Sequence, residues 1–185
     1  MKLSRKDFPG LSKSKLEIVD AFIALLSEYD FQKITIQQIA QKADVARATV
    51  YNHFKSKEDI LRCYIQCMTI EYQQEASHFV DPTICDLAYT AFVHWKKHHE
   101  FIHVLLRNDI YILVLDEFIR FFKHNPIEAE AERVFNAQFD NRNMLDYHRD
   151  FIASGLWMLL KRWVENGMQE SPLEMATSYE KFVLR

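Results

Sequence analysis

Residues 35–61, TIQQIAQKADVARATVYNHFKSKEDIL, decide how the first part of this chain folds. Thr35 is followed three positions later by Gln38, which is the capping-box pattern that begins a helix, and apolar residues then recur at helical spacing. Asp44 follows this segment, and a short polar residue tolerates the left-handed backbone of a tight turn. A second helix is expected from about residue 46 to residue 53. The stretch therefore predicts two short helices joined by a tight turn, followed by a longer helix.

The outward face of the second helix has no acidic residue and is rich in hydrogen-bond donors. A helix of this kind fits the major groove of DNA, where small and polar side chains can reach the edges of the bases. A helix-turn-helix is also a common way of packing small helices, so the spacing by itself leaves a structural role open. The outward residues are Arg47, Ala48, Thr49, Tyr51, Asn52 and His53.

The same stretch, IAQKADVARATVYNHFKSKEDIL, resembles the DNA-binding signature of the TetR family of bacterial transcriptional regulators, and the similarity extends over residues 12–65. It departs from the family at Asp44, which is usually Gly, and at Ala48, which is often Gly or Pro. The resemblance implies an all-α homodimer. An N-terminal three-helix helix-turn-helix head, residues 1–56, would be joined by a long helix to a helical ligand-binding and dimerisation body, residues 57–185.

The resemblance also implies which residues contact double-stranded DNA. Arg47 is expected to read a base, because its guanidinium pairs with guanine through two hydrogen bonds. Lys57 is expected to bind a phosphate, and Gln37 matches a position that can touch a base, although a solvated side chain competes with that interpretation. Phosphate contacts position such a head, whereas base contacts select the sequence. The candidate DNA-binding residues are Thr35, Gln37, Arg47, Ala48, Thr49, Tyr51, Asn52, His53 and Lys57.

Length and composition fit two small helical domains. The chain has 185 residues with only three Gly and four Pro, and 49% of its residues are apolar, which favours helix throughout. Its formal net charge of −3 by itself argues against nucleic-acid binding. However, residues 1–60 carry ten Lys or Arg against eight Asp or Glu, while residues 61–185 carry thirteen against eighteen. The positive charge therefore lies in the DNA-binding part, including a basic arm at residues 1–10.

Several other classes of protein are disfavoured. Cys63, Cys67 and Cys85 lack the spacing of a disulfide framework, and buried thiols are favoured over a redox or metal pair for the first two. Residues 1–10 lack the apolar core of a signal peptide, and the longest apolar run, Ile110–Leu115, is too short to span a bilayer. No nucleophile motif, phosphate loop or metal signature stands out. We therefore expect a cytoplasmic protein with no membrane partner, no enzymatic activity and no cofactor.

The middle of the chain contains a strongly apolar helical segment at residues 105–122. A buried core is the default interpretation of such a segment. In the TetR family the corresponding helices enclose a ligand pocket, which aromatic side chains would line. The sequence leaves both interpretations open, and the expected effector is a small molecule of unknown identity or another protein. The candidate pocket residues are Tyr72, Phe92, Trp95, His99, Tyr111, Leu115 and Phe118.

Two helices are expected at the C-terminal end, one over residues 144–166 and one beginning at Ser171 and Pro172. Two adjacent helices of this kind can form a four-helix bundle with a second copy of the chain. Residues 155–176 also resemble, more weakly, regulators of dihydroxyacetone operons. The candidate dimer-interface residues are Ile152, Gly155, Leu156, Leu159, Trp163, Met175, Tyr179 and Phe182.

Four histidines lie close together between the central helices. His94 and His98, like His99 and His103, are four residues apart, a spacing that can hold zinc on one helix face. The family pattern places a helix break here, and no carboxylate or cysteine in the sequence obviously completes a site. Surface or capping histidines are therefore favoured over a metal site, and a polar group inside a pocket is a further alternative.

These observations favour a sequence-specific transcriptional regulator, expected to be a ligand-responsive repressor that binds a palindromic operator as a homodimer. Two alternatives stay open. One is a ligand-independent DNA-binding protein of the nucleoid or division type, and the other is a co-activator that works with a protein partner.

Overall fold

The computed structural model describes Phe8, residues 10–123 and residues 142–184. This part contains nine α-helices and no β-strand, which confirms the all-α expectation. Most of the basic arm lies outside the described residues. The helices are α1 (Lys13–Glu28), α2 (Ile36–Lys42), α3 (Arg47–His53), α4 (Lys57–Ala76), α5 (Ile84–Lys97), α6 (His99–Arg107), α7 (Tyr111–Lys123), α8 (Arg142–Glu165) and α9 (Pro172–Val183).

The first three helices, together called the head, begin where the sequence provides capping side chains. Ser12 accepts a hydrogen bond from the backbone of α1, and Thr35 forms the expected capping box with Gln38 at the start of α2. Phe22 is fully buried against Phe31 in the 3₁₀ turn that follows α1, with the ring centroids 6.3 Å apart. Side-chain capping and one apolar face per helix therefore account for the local structure.

The turn between α2 and α3 contains the departure from the family pattern. Asp44 has a φ of +54°, so a residue with a side chain occupies the left-handed region that favours glycine. The turn is closed by the amide of Val45, which donates to the carbonyl of Ala40 at 3.0 Å. The expected turn conformation is thus present, at a cost that glycine would avoid.

The remaining helices, together called the body, pack around aromatic side chains. The ring of Trp157 stacks on Tyr111 with centroids 4.5 Å apart, and it also contacts Phe118 at 4.8 Å and Trp95 at 5.3 Å. Helix α5 packs extensively along α9, and α7 packs along α8. Helix α4 contacts α1 in the head and both α5 and α7 in the body, so it joins the two parts. Within the described residues, no helix combines the length and apolarity needed to cross a membrane.

A second connection between head and body, here called the α6–α1 joint, is made of polar contacts. The guanidinium of Arg107 donates to the carbonyls of Ser27 at 2.8 Å and Leu26 at 3.2 Å. The side-chain oxygen of Asn108 accepts a hydrogen bond from the amide of Phe31 at 2.5 Å. Because these carbonyls and this amide lie at the end of α1 and in its following turn, a movement of α6 would be transmitted to the head.

Candidate DNA-binding site

Helix α3 is held in the head by its apolar side and presents its polar side outward. Val50 is fully buried, and Phe54, which follows the last turn, is 4% exposed. Of the six residues expected to face DNA, Arg47, Ala48, Tyr51 and Asn52 are exposed, whereas Thr49 and His53 are half-buried. The structure therefore brings the expected α3 residues together on one side of the head.

Arg47 and Tyr51 form a pair on this face. The Arg47 guanidinium donates to the Tyr51 hydroxyl at 3.0 Å and lies 5.4 Å from the centre of its ring. An aromatic ring beneath a guanidinium restricts its rotamers without using all five of its N–H donors. The remaining donors can therefore reach a base while Tyr51 keeps the side chain extended along the helix.

His53 and Thr35 already have partners within the chain. His53 Nε2 lies 2.9 Å from the hydroxyl of Ser14, which ties the end of α3 to the start of α1. The Thr35 hydroxyl accepts from the amide of Gln38 and donates to its side chain. Gln37, one residue after the start of α2, is exposed. The sequence did not suggest the role of Ser14, because its partner is 39 positions away.

Lys57 differs most from its expected role as a phosphate-binding residue. Its ammonium donates to the carbonyls of Phe31 at 2.6 Å, Gln32 at 3.2 Å and Ile34 at 3.3 Å, and it lies 4.5 Å from the Phe31 ring. An ammonium has three N–H donors, so these carbonyls use its full capacity. Lys57 therefore fastens α4 to the turn before α2. The neighbouring Lys55 is exposed and was not predicted as a contact.

Most of the candidate pocket residues belong to the aromatic core. Five of them are at most 6% exposed, while His99 and Leu115 are half-buried. The ring contacts around Trp157, which sequence reasoning did not identify, fill the space between several of these side chains. These contacts favour the core interpretation that the sequence left open. The five buried residues are Tyr72, Phe92, Trp95, Tyr111 and Phe118.

The candidate dimer-interface residues divide into three groups by exposure, and the buried group does not fit a surface between two chains. Leu156, Trp163 and Tyr179 are at most 6% exposed because they pack within their own chain. Trp163, for example, lies edge-on to Phe92, with centroids 5.4 Å apart. Phe182, in contrast, is 67% exposed. The other four, Ile152, Gly155, Leu159 and Met175, are half-buried.

Another side of α8 carries exposed apolar residues that the sequence analysis did not select. Tyr147 is 65% exposed, Phe151 is 73% exposed and Met158 is 41% exposed. With Gly155 they lie at helical spacing on one face, here called the α8 stripe. A Cβ atom added at Gly155 would meet no described atom of this chain within 4 Å. The stripe is therefore an apolar surface on which a neighbouring helix can approach closely.

The four histidines are not all surface or capping groups, as the sequence favoured. His94 is fully buried and His98 is 7% exposed, whereas His99 is half-buried and His103 is exposed. The expected helix break does lie at His98, between α5 and α6. It separates the two pairs but leaves the rings of His94 and His98 in contact, with centroids 4.7 Å apart.

Comparisons with known proteins agree with this geometry. Residues 18–63 match the model of the tetR family of bacterial regulatory proteins, and residues 83–184 match a transcriptional regulator C-terminal region. The A-factor receptor protein of Streptomyces griseus is 36% identical over 62 residues, which cover 32% of this chain and 22% of that protein. The chain matches about a quarter or less of the length of its curated relatives.

Solved structures resemble the chain over nearly its whole length. A TetR transcriptional regulator from Streptococcus agalactiae is 25% identical, with a TM-score of 0.66 and coverage of 92% of this chain and 93% of that one. The dihydroxyacetone kinase operon activator DhaS has a TM-score of 0.57 with coverage of 93% and 94%, and at 14% identity it shows a shared fold alone. The chain belongs to the tetR family of bacterial regulatory proteins.

Proposed function

We propose that this protein is a ligand-responsive repressor that binds a palindromic operator as a homodimer. Residues 1–56 would form the DNA-binding domain and residues 57–185 the sensing and dimerising domain. The observation that carries the proposal is the exposed face of α3, where Arg47 is supported by Tyr51 and where there is no carboxylate. A positive, donor-rich helix face of this kind is suited to base edges in the major groove.

The contacts with DNA would divide into base readout and phosphate binding. Arg47 would pair with guanine, and Ala48 would contact a thymine methyl group. Thr49, Asn52 and the N-terminal turn of α2, including Gln37, would add contacts on either side. Lys55 replaces Lys57 as the proposed phosphate-binding lysine, since it is exposed while Lys57 is engaged with backbone carbonyls. Tyr51 and His53 would position the helix as well as touch the phosphate backbone.

Dimerisation would use the α8 stripe together with the exposed end of α9, including Phe182. An exposed apolar surface beside a helical glycine favours close helix packing between copies. A dimer with two-fold symmetry would place its heads on successive turns of the major groove, about 34–36 Å apart. A change in this separation would weaken binding to a fixed operator.

The dimer is tested by changing one exposed residue of the stripe. Phe151→Glu should give a monomer at micromolar concentration, because it would place a carboxylate within an apolar interface. Val80→Glu is the matched control, since Val80 is 96% exposed and lies outside the stripe. Sedimentation velocity distinguishes the two states. A Phe151→Glu protein that remains as dimeric as the control would remove α8 from the interface.

The regulatory function is tested by selecting bound fragments from the source genome with the purified protein. The proposal expects one or a few palindromes with half-sites about one helical turn apart, or a multiple of that spacing. Recovery of fragments without a shared motif would contradict sequence-specific repression.

One structural observation favours a second candidate, a ligand-independent DNA-binding protein. Three of the candidate pocket residues, Trp95, Tyr111 and Phe118, pack against Trp157, so an effector at this place would have to displace aromatic rings. Binding of many sites with cooperative spreading along DNA would favour this candidate. Discrete palindromes whose binding responds to an effector would favour the repressor.

A further inference from the structure

Five charged or ionisable side chains meet between α4 and α5 and form what is here called the α4–α5 polar cluster. Glu71 and Glu75 come from α4, His94 and Lys97 come from α5, and His98 lies between α5 and α6. Lys97 forms a short contact with Glu71 and lies 3.5 Å from Glu75. The cluster is buried at its centre, because His94 is fully inaccessible and His98 is 7% exposed.

Three polar atoms at this centre make no hydrogen bond to any described residue. They are Glu71 Oε2, His94 Nε2 and His98 Nε2. A ligand atom from each of these residues lies within 4.8 Å of the other two, and His98 Nε2 is 3.3 Å from Glu71 Oε2. Burial of polar atoms without hydrogen-bond partners is unfavourable, so their convergence favours a bound group that contacts all three.

The orientation of His94 is that of a metal ligand. Its Nδ1 lies 2.8 Å from Glu75 Oε2, and a carboxylate can only accept a hydrogen bond there. Nδ1 therefore carries the hydrogen, which leaves a lone pair on Nε2, the atom that points into the cluster. A carboxylate behind a histidine is the usual way in which proteins fix the tautomer and direction of a ligating imidazole.

We propose that Glu71, His94 and His98 bind a divalent transition-metal ion of the zinc type between α4 and α5, with Glu75 fixing His94. Two imidazoles and one carboxylate are a common donor set for zinc. Ligand atoms in a tetrahedral zinc site are about 3.3 Å apart. A small rotation of the side chains would bring the ligand atoms of Glu71, His94 and His98 to that separation. The formal charges of Glu71, Glu75 and Lys97 sum to −1, which favours a cation.

The position of this site would connect the metal to the head. The ion would join α4, which begins in the head, to the end of α5, where α6 begins. The other end of α6 carries Arg107 of the α6–α1 joint. Metal binding would thus restrain both α4 and the α6–α1 joint, which connect the body to the head. This consequence rests on the proposed regulatory function, whereas the metal site does not.

The site is tested with the full-length protein after treatment with a chelator. Zn²⁺ is titrated against a chromophoric chelator, and Co²⁺ is used separately as an absorbing probe of tetrahedral coordination. One ion should bind per chain, and Glu71→Gln and His94→Gln should each weaken binding by about 100-fold or more. The matched control is the double variant His99→Ala, His103→Ala, which removes a histidine pair of the same spacing from the surface.

Each result decides the proposal. One ion per chain, lost in Glu71→Gln and kept in the control, supports it. The absence of stoichiometric binding, equal affinity in Glu71→Gln and the parent, or loss of binding in the control overturns it. Circular dichroism confirms that each variant is folded, and Glu71→Gln keeps the test valid even if the fully buried His94→Gln does not fold.

A separate titration of operator DNA with and without Zn²⁺ tests the consequence for regulation. A change in operator affinity of about 5- to 150-fold would support coupling between the metal site and the head. Equal affinities would disprove the coupling and leave the metal site intact. Failure to bind any operator would count against the proposed function alone, because the metal titration contains no DNA.

Discussion

The exposed face of α3 and the buried α4–α5 polar cluster both carry histidine and cationic side chains, but those side chains have different surroundings. On α3 the side chains of Arg47, Tyr51 and Asn52 are exposed, and Arg47 donates to the hydroxyl of Tyr51. In the cluster, three polar atoms are buried without a hydrogen-bond partner among the described residues. Polar groups that face water are hydrated when no DNA is bound. Buried polar groups without hydrogen-bond partners are unfavourable, which favours a bound ligand. Burial therefore changes what the same residue types are able to bind.

The largest effect is expected in the buried aromatic core outside the polar cluster, for Trp157→Ala. Trp157 is fully buried among Tyr111, Phe118 and Trp95, so its removal should lower the free energy of unfolding by about 3–5 kcal/mol. Urea unfolding followed by circular dichroism measures the change. Ile112→Ala is the control, since Ile112 is 62% exposed and lies outside the α8 stripe. Equal unfolding midpoints for the two variants would contradict a filled aromatic core.

Base readout by the exposed face of α3 is tested by Arg47→Ala. We expect operator binding to weaken by about 1–3 kcal/mol, with the free energy of unfolding unchanged, because Arg47 is exposed and its hydrogen bond is to the exposed Tyr51. Fluorescence anisotropy with labelled operator gives the affinity. Lys33→Ala removes an exposed positive charge elsewhere in the head and should retain more of the binding. A similar loss in both variants would indicate general charge attraction instead of base readout.

The neighbouring lysines Lys55 and Lys57 are expected to differ in role. Lys57→Ala should lower the free energy of unfolding by about 1–2 kcal/mol, because the carbonyls of residues 31, 32 and 34 lose their donor. The exposed Lys55 should behave in the opposite way, so Lys55→Ala should leave stability unchanged and make the salt dependence of operator binding shallower by about one unit. Urea unfolding and binding at several salt concentrations measure both effects. The reverse pattern would restore Lys57 as the phosphate contact.

The smallest expected effect is at the turn between α2 and α3. Asp44→Gly should raise the free energy of unfolding by about 0.5–1 kcal/mol, because glycine adopts the φ of +54° without strain. Asp30→Gly is the control, since Asp30 has a φ of −61° and gains nothing from glycine. Thermal unfolding of the two variants should therefore shift in opposite directions. A destabilised Asp44→Gly protein would show that the Asp44 side chain stabilises the turn.

The head could be predicted closely because its signals are local. Local sequence signals predicted α3 at about residues 46–53, against observed bounds of Arg47–His53. The role of Lys57 was missed because its carbonyl partners lie more than 20 positions away and form no sequence pattern.

The body could be predicted only in outline, because its sites depend on contacts between distant helices. Apolar residues occur on several sides of α8, so spacing alone did not show that Leu156 is buried while Phe151 is 73% exposed. Similarly, the pair His94 and His98 was visible in the sequence, but Glu71 lies 23 positions before His94 on another helix. Only the packing of α4 against α5 brings these three residues together.

The central claim, that α3 reads a specific DNA sequence, is tested most directly by one titration. The selected palindrome and a scrambled duplex of the same length and composition are compared at physiological salt. We expect the palindrome to bind at least about a thousandfold more tightly than the scrambled duplex, as is typical of sequence-specific regulators. Equal affinity for the two duplexes, with the same dependence on salt, would show that the head binds only the phosphate backbone and would contradict the account.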